Sequence, residues 1–370
     1  MVGVRGSSDM GELYIGVMSG TSLDGIDVAL CKIDENSCKI LFSCEYNFDE
    51  GLKRDILNLI NNHVTLKEIG EIDTKLGYMY ARVINEFLDQ NKISKDDIKA
   101  IGLHGQTLWH SPNSSYPFSM QLGNASVVNI QTGICVVSDF RQKDIALGGE
   151  GAPLSPAFHK FVFSQLKLKT AVLNIGGMAN ITILGERLVG YDTGCGNVLM
   201  DLWVQKCKNI PYDKDGEFAK SGEVDASLLD CMLSESYFSK AYPKSTGREL
   251  FNEKWLDKKL KKFKHLKDED IQATLLELTV KSIANEIKKT DIELLLVCGG
   301  GAKNKLLMDR LSFVLENVKV ATTNDYGVDA DFMEAMAFAY FAYKRLKKQT
   351  IELSCLTGAK EDTILGAIYE

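Results

Sequence analysis

Leu13-Tyr14-Ile15-Gly16-Val17-Met18-Ser19-Gly20-Thr21-Ser22-Leu23-Asp24-Gly25-Ile26-Asp27 is the first patterned stretch of the chain. Leu13 to Met18 reads as a strand, Gly20-Thr21-Ser22 as a turn, and Ile26 to Ile33 as a returning strand, which together predict a β-hairpin. The plan recurs, with little identity, from Thr170: Ala171-Val172-Leu173-Asn174-Ile175 is a strand, Gly176-Gly177 a turn, and Asn180 to Leu184 the return. The chain has 370 residues, more than the roughly 250–300 at which single cores stop growing. Length and repetition together predict two α/β domains on similar plans, each opening with a hairpin whose turn faces a shared cleft.

The remaining elements fit that plan. Helical spacing runs between about Ile56 and Leu88, with Ile72, Leu76, Met79, Val83 and Phe87 on one face. Ala100 to His104 reads as a short buried strand that ends in a polar loop. Asp270 to Lys289 reads as an amphipathic helix with acidic residues at its start and lysines at its end, as the helix dipole prefers. Leu294 to Cys298 is a buried strand, Gly299 to Gly301 a sharp turn, and Lys303 to Leu315 a helix. Asp331 to Lys344 is apolar on most faces and is therefore predicted to be a buried helix. Residues 1–11 read as a lead-in without periodicity.

The bulk properties narrow the function. A net charge of -7 and a pI near 5.5 give no positive field for nucleic acid or an anionic membrane. The longest apolar run, Ala335 to Tyr343, falls short of the roughly 20 residues of a spanning helix. Nine cysteines without a C-x-x-C pair, and no secretory pattern, point to a reducing cytoplasm. The lysines from Lys254 to Lys267 are flanked by acids and lack interleaved aromatics, as on a solvated helix face.

Chemistry concentrates in glycine turns. In the turn from Gly20 to Asp27, successive N–H groups and the Thr21 and Ser22 hydroxyls form either an anion-binding nest or a plain hairpin turn. The chain lacks the G-x-x-x-x-G-K-[ST] phosphate loop and the protein-kinase loop set. Three more glycine turns follow strands: Asn174 to Asn180, Gly190 to Asn197 and Cys298 to Asn304. Four such turns at strand ends exceed what hairpin geometry requires, and strand ends are where open α/β sheets bind ligands. Asp192, inside one of them, has two readings: a general base toward a hydroxyl or water, or a turn-stabilising Asx residue. Glu334 reads either as a dipole-compensating helix residue or as a functional carboxylate. His104 and His110 flank Gly105-Gln106-Thr107 as ligand-positioning or structural histidines. Arg141 offers planar bidentate recognition, or a surface ion pair with Asp139 or Asp144. Ser245-Thr246-Gly247-Arg248-Glu249 reads as a polar turn or a helix cap.

The order of Met18 to Gly25, His104-Gly105-Gln106-Thr107, Asp139-Phe140-Arg141, Asn174 to Gly177, Asp192-Thr193-Gly194, Lys244 to Glu249 and Cys298 to Gly301 resembles that of the anhydro-N-acetylmuramic acid kinases. The resemblance covers about residues 13–370. It implies an α/β, two-domain actin-like ATPase (ribonuclease H-like) fold with a central nucleotide cleft. The domains expected are 12–140 with about 345–370, and 141–344. It implies ATP with Mg2+, and an anhydro-sugar that is opened by water and phosphorylated at O6. Gly20, Thr21, Ser22, Leu23, Asp24, Gly25, Ile26 and Asp27 then match the first phosphate loop. Gly176, Gly177 and Asn180 match the second, and Gly299, Gly300, Gly301 and Asn304 the adenosine side. Asp192 matches the base and Glu334 a carboxylate that helps hold the attacking water, while His104, Thr107, Arg141 and Arg248 match sugar contacts. No metal ligand is assigned, and a cytoplasmic homodimer without nucleic-acid or membrane partners is expected. Cys195 stands where the family usually has Pro, and Gln142 where Arg is common. A chaperone-like ATPase would need an extra module, and a non-catalytic sensor would not need Asp192 and Glu334.

Overall fold

The computed structural model describes residues 11–20, 23, 25–61 and 63–370. Thr21, Ser22 and Asp24 of the expected phosphate loop lie outside the described residues, as do residues 1–10. The chain forms two compact units: one runs to Ser164 and resumes from Phe332 to Glu370, and the other is Gln165–Asp331.

The first unit is built on β1 (Glu12–Ser19), β2 (Gly25–Ile33), β3 (Cys38–Asn47), β4 (Ile98–Leu103) and β7 (Val136–Ser138), with a separate hairpin of β5 (Gln106–Ser111) and β6 (Phe118–Leu122). β3, β2 and β1 are antiparallel neighbours, β4 joins β1 in parallel, and β7 joins β4 in parallel. The C-terminal strand Ala367–Tyr369 completes the sheet beyond β7, as the resemblance implies for the chain's end. The second unit repeats the order with β8 (Thr170–Ile175), β9 (Met178–Ile183), β10 (Val189–Cys195), β11 (Leu294–Cys298) and β12 (Lys319–Thr322). β8, β9 and β10 are antiparallel, and β11 and β12 extend the sheet in parallel from β8. Each unit thus shows the expected ribonuclease H-like order: a three-stranded meander, then two parallel strands on the side of its first strand.

The apolar helix Met333–Leu346 belongs to the first unit, not the second. Gly16 and Gly102 are register partners in β1 and β4. A Cβ on Gly16 would lie 1.7 Å from the Ala335 carbonyl oxygen, and one on Gly102 1.9 Å from that of Phe338. Two glycines side by side therefore let the helix backbone rest directly on the sheet. Residues 141–164 join the same unit, since Phe161 stacks on Tyr340 at 4.5 Å and Phe158 lies 5.7 Å from it. The boundaries expected at 140 and 344 differ from this division because packing across the chain, not sequence proximity, decides it.

The long helical stretch is two helices, Glu50–Asn61 and Leu66–Asn91. Thr65 and Glu68 form a reciprocal capping box that starts the second.

Candidate active site

In the first unit the candidates gather at the C-terminal ends of β1 and β4. The Leu23 N–H donates to the Gly20 carbonyl at 3.2 Å. Leu23 sits at φ 57, an unfavourable conformation for a branched residue, and burial in the core at 1% exposure holds it there. Leu23 and Ile26 both send their side chains into that core, so any ligand contact from them is through backbone.

His104 directly follows β4, is 4% exposed and lies against Phe338 at 4.6 Å. Arg141 donates to its Nε2 from Nη2 at 2.9 Å and from Nε at 3.3 Å, and from Nη1 to the Gly151 carbonyl at 2.7 Å. The imidazole is thus neutral with its proton on Nδ1. Burial, with the Arg141 charge, pushes its pKa down to about 3. Its buried Nδ1 has no hydrogen-bond partner among the described residues, and the Gly105 backbone opposes the downward push only in part. Neither surface ion-pair reading of Arg141 holds: Asp144 instead accepts from the Gly151 N–H and the Thr357 hydroxyl. Burial lowers the Arg141 pKa, and the Glu334 charge opposes this. Glu334 stands exposed in the first turn of Met333–Leu346. Desolvation by surrounding protein raises its carboxyl and Arg141 lowers it; with the side chain open to water, its exposure carries the greater weight. Thr107 accepts from Gln121 at 3.2 Å across the β5–β6 hairpin.

Gln106 lies inside the His104–Thr107 motif, whose pattern assigns it no role. It is 1% exposed, and its Nε2 donates to the Gly20 carbonyl at 3.2 Å. It ties the polar loop after β4 to the turn after β1.

In the second unit the three other glycine turns meet. The N–H groups of Gly196 and Val198 donate to the Gly177 carbonyl, and that of Asn197 to Gly176. The Asn197 amide donates to the Ile175 carbonyl, and Gly299 and Gly301 approach Asn174 and Ile175 too closely for any Cβ. Gly177 is exposed, the nearest atom to a Cβ placed there is 4.0 Å away, and its N–H has no acceptor among the described residues. An open, unspent turn amide of this kind fits an anion. Asn304 spends its Oδ1 capping the helix Lys305–Val314.

Asp192 lies on β10 opposite Asn180, and the register shifts between Asp192 and Gly194. Such a bulge re-aims a side chain. Asp192 Oδ2 accepts from the Ser245 hydroxyl at 3.1 Å and the Thr246 N–H at 3.0 Å. Its Oδ1 accepts nothing among the described residues. Burial raises the carboxyl above the usual range, the Thr246 and Ser245 bonds lower it, and Glu249 raises it. The Ser245–Glu249 turn therefore serves Asp192 rather than capping a helix; the helix that follows, Glu253–Leu260, is capped by Asn252. Arg248 is exposed, and its charge opposes the upward push of burial and Asp213 on Asp201, whose pKa stands at about 6. Sequence reading gave no sign of Asp201. Cys195 is buried, paired with Met178 in the β9–β10 ladder, with its carbonyl accepting from Thr279. That pairing fixes the backbone where a proline is usual.

Among the described residues, no group of three or more His, Cys, Asp or Glu side chains could hold a metal ion. No helix among them is long and apolar enough to cross a membrane.

Known proteins are similar to this chain over nearly its whole length. The anhydro-N-acetylmuramic acid kinase of Sulfurimonas denitrificans is 60% identical over 368 residues, covering 98% of this chain and 100% of that one. That of Haemophilus influenzae is 46% identical over 374 residues, covering 97% and 98%. Among solved structures, the (R)-2-hydroxyglutaryl-CoA dehydratase component A of Acidaminococcus fermentans aligns over 91% of this chain and 100% of its own, with a TM-score of 0.49 and 12% identity. The sequence profile described as Anhydro-N-acetylmuramic acid kinase matches residues 12–370. With relatives this close over their full length and a profile spanning both units, the chain belongs to the anhydro-N-acetylmuramic acid kinase family.

Proposed function

We propose that this protein is an ATP-dependent kinase that opens 1,6-anhydro-N-acetylmuramic acid with water and phosphorylates it at O6, in peptidoglycan recycling. The observation that carries the catalytic assignment is the Asp192 carboxylate, with Oδ2 held by Ser245 and Thr246 and Oδ1 unspent. A carboxylate so oriented, with burial raising its pKa, is suited to take a proton from water.

In the reaction, water forms a bond to the anomeric carbon and gives its proton to Asp192. The bond from that carbon to the bridging O6 breaks, and its electron pair passes to O6. O6 then bonds the γ-phosphorus of ATP while the bond to ADP breaks. The products are N-acetylmuramic acid 6-phosphate and ADP. Glu334 is the second carboxylate holding the water, and His104, Thr107, Arg141 and Arg248 orient the sugar.

The phosphates are held by backbone amides of the Gly20–Asp27 turn and of Gly176 and Gly177, with Asn180 nearby in the same hairpin. Gly299, Gly300, Gly301 and Asn304 serve the adenosine. The unspent Gly177 N–H supports this reading, since phosphoryl transfer relies on positioning and charge neutralisation. Mg2+, when bound, would neutralise phosphate charge, and this reading assigns it no protein ligand. The protein works in the cytoplasm as a homodimer.

The test is ADP release with Mg-ATP, with and without the anhydro-sugar, beside Asp192→Asn. The proposal predicts sugar-dependent turnover and formation of the 6-phosphate, with a loss of roughly 100-fold or more in the variant. Sugar-independent ATP hydrolysis, or none with sugar, defeats the substrate assignment.

A further inference from the structure

Glu286 lies on the helix Asp268–Ile287 and is 5% exposed. Its Oε1 accepts from Lys244 Nζ at 2.7 Å and from Lys289 Nζ at 2.9 Å, and its Oε2 from the Tyr191 hydroxyl at 3.2 Å. Burial pushes the carboxyl up, but the Lys244 and Lys289 bonds outweigh it and leave the pKa lowered, so the group is ionised. The Lys244 side chain is 2% exposed and packs 5.1 Å from the centre of the Tyr237 ring.

A buried ion pair is weak evidence of stability, because desolvation of both charges offsets their attraction, and well-packed apolar residues often serve as well or better. Fixing a register is the better-attested use of such a pair. Here the register is specific. Tyr191 immediately precedes Asp192, and Lys244 immediately precedes Ser245 and Thr246. One carboxylate thus grips the residue before the base with one oxygen and the residue before the base's two donors with the other. The Asp192 N–H donates to the Lys244 carbonyl at 3.2 Å, and the Tyr237 hydroxyl donates to the Asp192 carbonyl at 2.7 Å. Both backbone groups of Asp192 and its Oδ2 are therefore set by the segment that Lys244 anchors and the ring against which Lys244 packs.

We propose that the Glu286–Lys244–Tyr191 cluster is a positioning device that holds the Ser245–Thr246 turn in register with Asp192. The inference rests on Asp192 being the base. Glu286 and Lys244 touch neither sugar nor nucleotide in this scheme; they act through the turn. When the cluster loosens, Asp192 loses donors that favour its ionised form, and its pKa rises. The base is active when ionised, so the acid limb of the kcat profile moves to higher pH. The other titratable groups facing Asp192 are Glu249 and Tyr237, with Lys289 behind Glu286, and the substitutions proposed leave all three in place.

The test compares wild type, Lys244→Met/Glu286→Leu, Tyr191→Phe and Asp192→Asn in melting temperature, kcat, both KM values and the pH dependence of kcat. The double variant removes both charges together and is expected to melt near wild type. Its kcat is expected to fall roughly 10- to 100-fold with KM for ATP within about twofold, and its acid limb to rise by about half a pH unit or more. Tyr191→Phe deletes a single hydroxyl and is expected to fold and shift the limb the same way by less, which keeps the question open to test if the double variant does not fold. An acid limb unmoved in the folded variants overturns the positioning role. Wild-type turnover by Asp192→Asn instead overturns the base assignment on which it rests, so the two failures are distinguishable.

Discussion

Arg141 donates through Nη2 to His104 Nε2 at 2.9 Å, and His104 is only 4% exposed. An arginine cannot accept, so His104 stays neutral while the contact lasts. Its folded pKa of about 3 lies below the ordinary 6.5. The unfolded chain therefore binds a proton that the folded chain refuses, and this contribution to stability is full above pH 6.5 and lost as pH falls toward 3. His104 alone is expected to remove about 2 kcal/mol between pH 7 and pH 5. The buried His159, pushed down to about 4, acts in the same direction. Urea unfolding at the two pH values measures the sum, and ring nitrogen shifts should show His104 with its proton on Nδ1 throughout. A His104 that titrates near 6.5 rules this out.

Gly16 and Gly70 make opposite predictions for the same substitution. A Cβ on Gly16 meets the Ala335 carbonyl oxygen at 1.7 Å, whereas one on Gly70 meets nothing within 4 Å. Gly16→Ala must push the helix Met333–Leu346 off the sheet and is expected to cost about 3 kcal/mol or more. Gly70→Ala lies in the interior of the helix Leu66–Asn91 and is expected to add about 0.5–1 kcal/mol. Thermal unfolding of the two variants decides it; equal effects would mean that the helix does not sit on Gly16.

The same contact explains where the sequence was hard to read. Both hairpins were legible because strand, glycine turn and strand are local signals. The burial of Met333–Leu346 was legible from its lack of a polar face, but its destination was not: two glycines more than 230 residues upstream receive it. The domain boundaries moved for that reason. The Thr65–Glu68 capping box was written locally and marks the break between the two helices read as one stretch. Ser245 and Thr246 read as either a polar turn or a helix cap because their partner, Asp192, is more than 50 residues away. A hydrogen bond closed across such a loop leaves no periodicity. The motif around Asp192 marks it as the candidate base by resemblance, and Lys244 and Tyr191 stand inside sequence motifs, but their shared partner Glu286 lies more than 40 residues beyond Lys244 and carries no local signal.

Ser245 supplies one of the two donors to Asp192 Oδ2. Ser245→Ala leaves the Thr246 N–H in place, so the carboxylate keeps its orientation but loses part of what favours its charge. Asp192 is then expected to titrate higher, and the acid limb of kcat to move up by about half a pH unit. Well above that limb, kcat should stay within roughly tenfold of wild type, far above Asp192→Asn. Measurement of kcat from pH 5 to pH 9 checks both parts. A uniform loss at every pH would assign Ser245 to sugar binding instead.

Gln106 tests the proposed assignment of the turn after β1 to the nucleotide. Its Nε2 donates to the Gly20 carbonyl at 3.2 Å, and its Oε1 has no partner among the described residues. Gln106→Leu keeps the volume but releases the turn whose amides are proposed to hold phosphate. Deleting a buried amide with one unsatisfied end should change stability by only about 1 kcal/mol. The expected kinetic signature is a KM for ATP raised roughly tenfold, with kcat and the KM for sugar within threefold, as when binding shared by ground and transition states is removed. The orphan Oε1 supplies the contrary outcome. If that oxygen accepts from a sugar hydroxyl, the KM for sugar rises and the KM for ATP holds, which would place Gln106 with His104 and Arg141 rather than with Gly20.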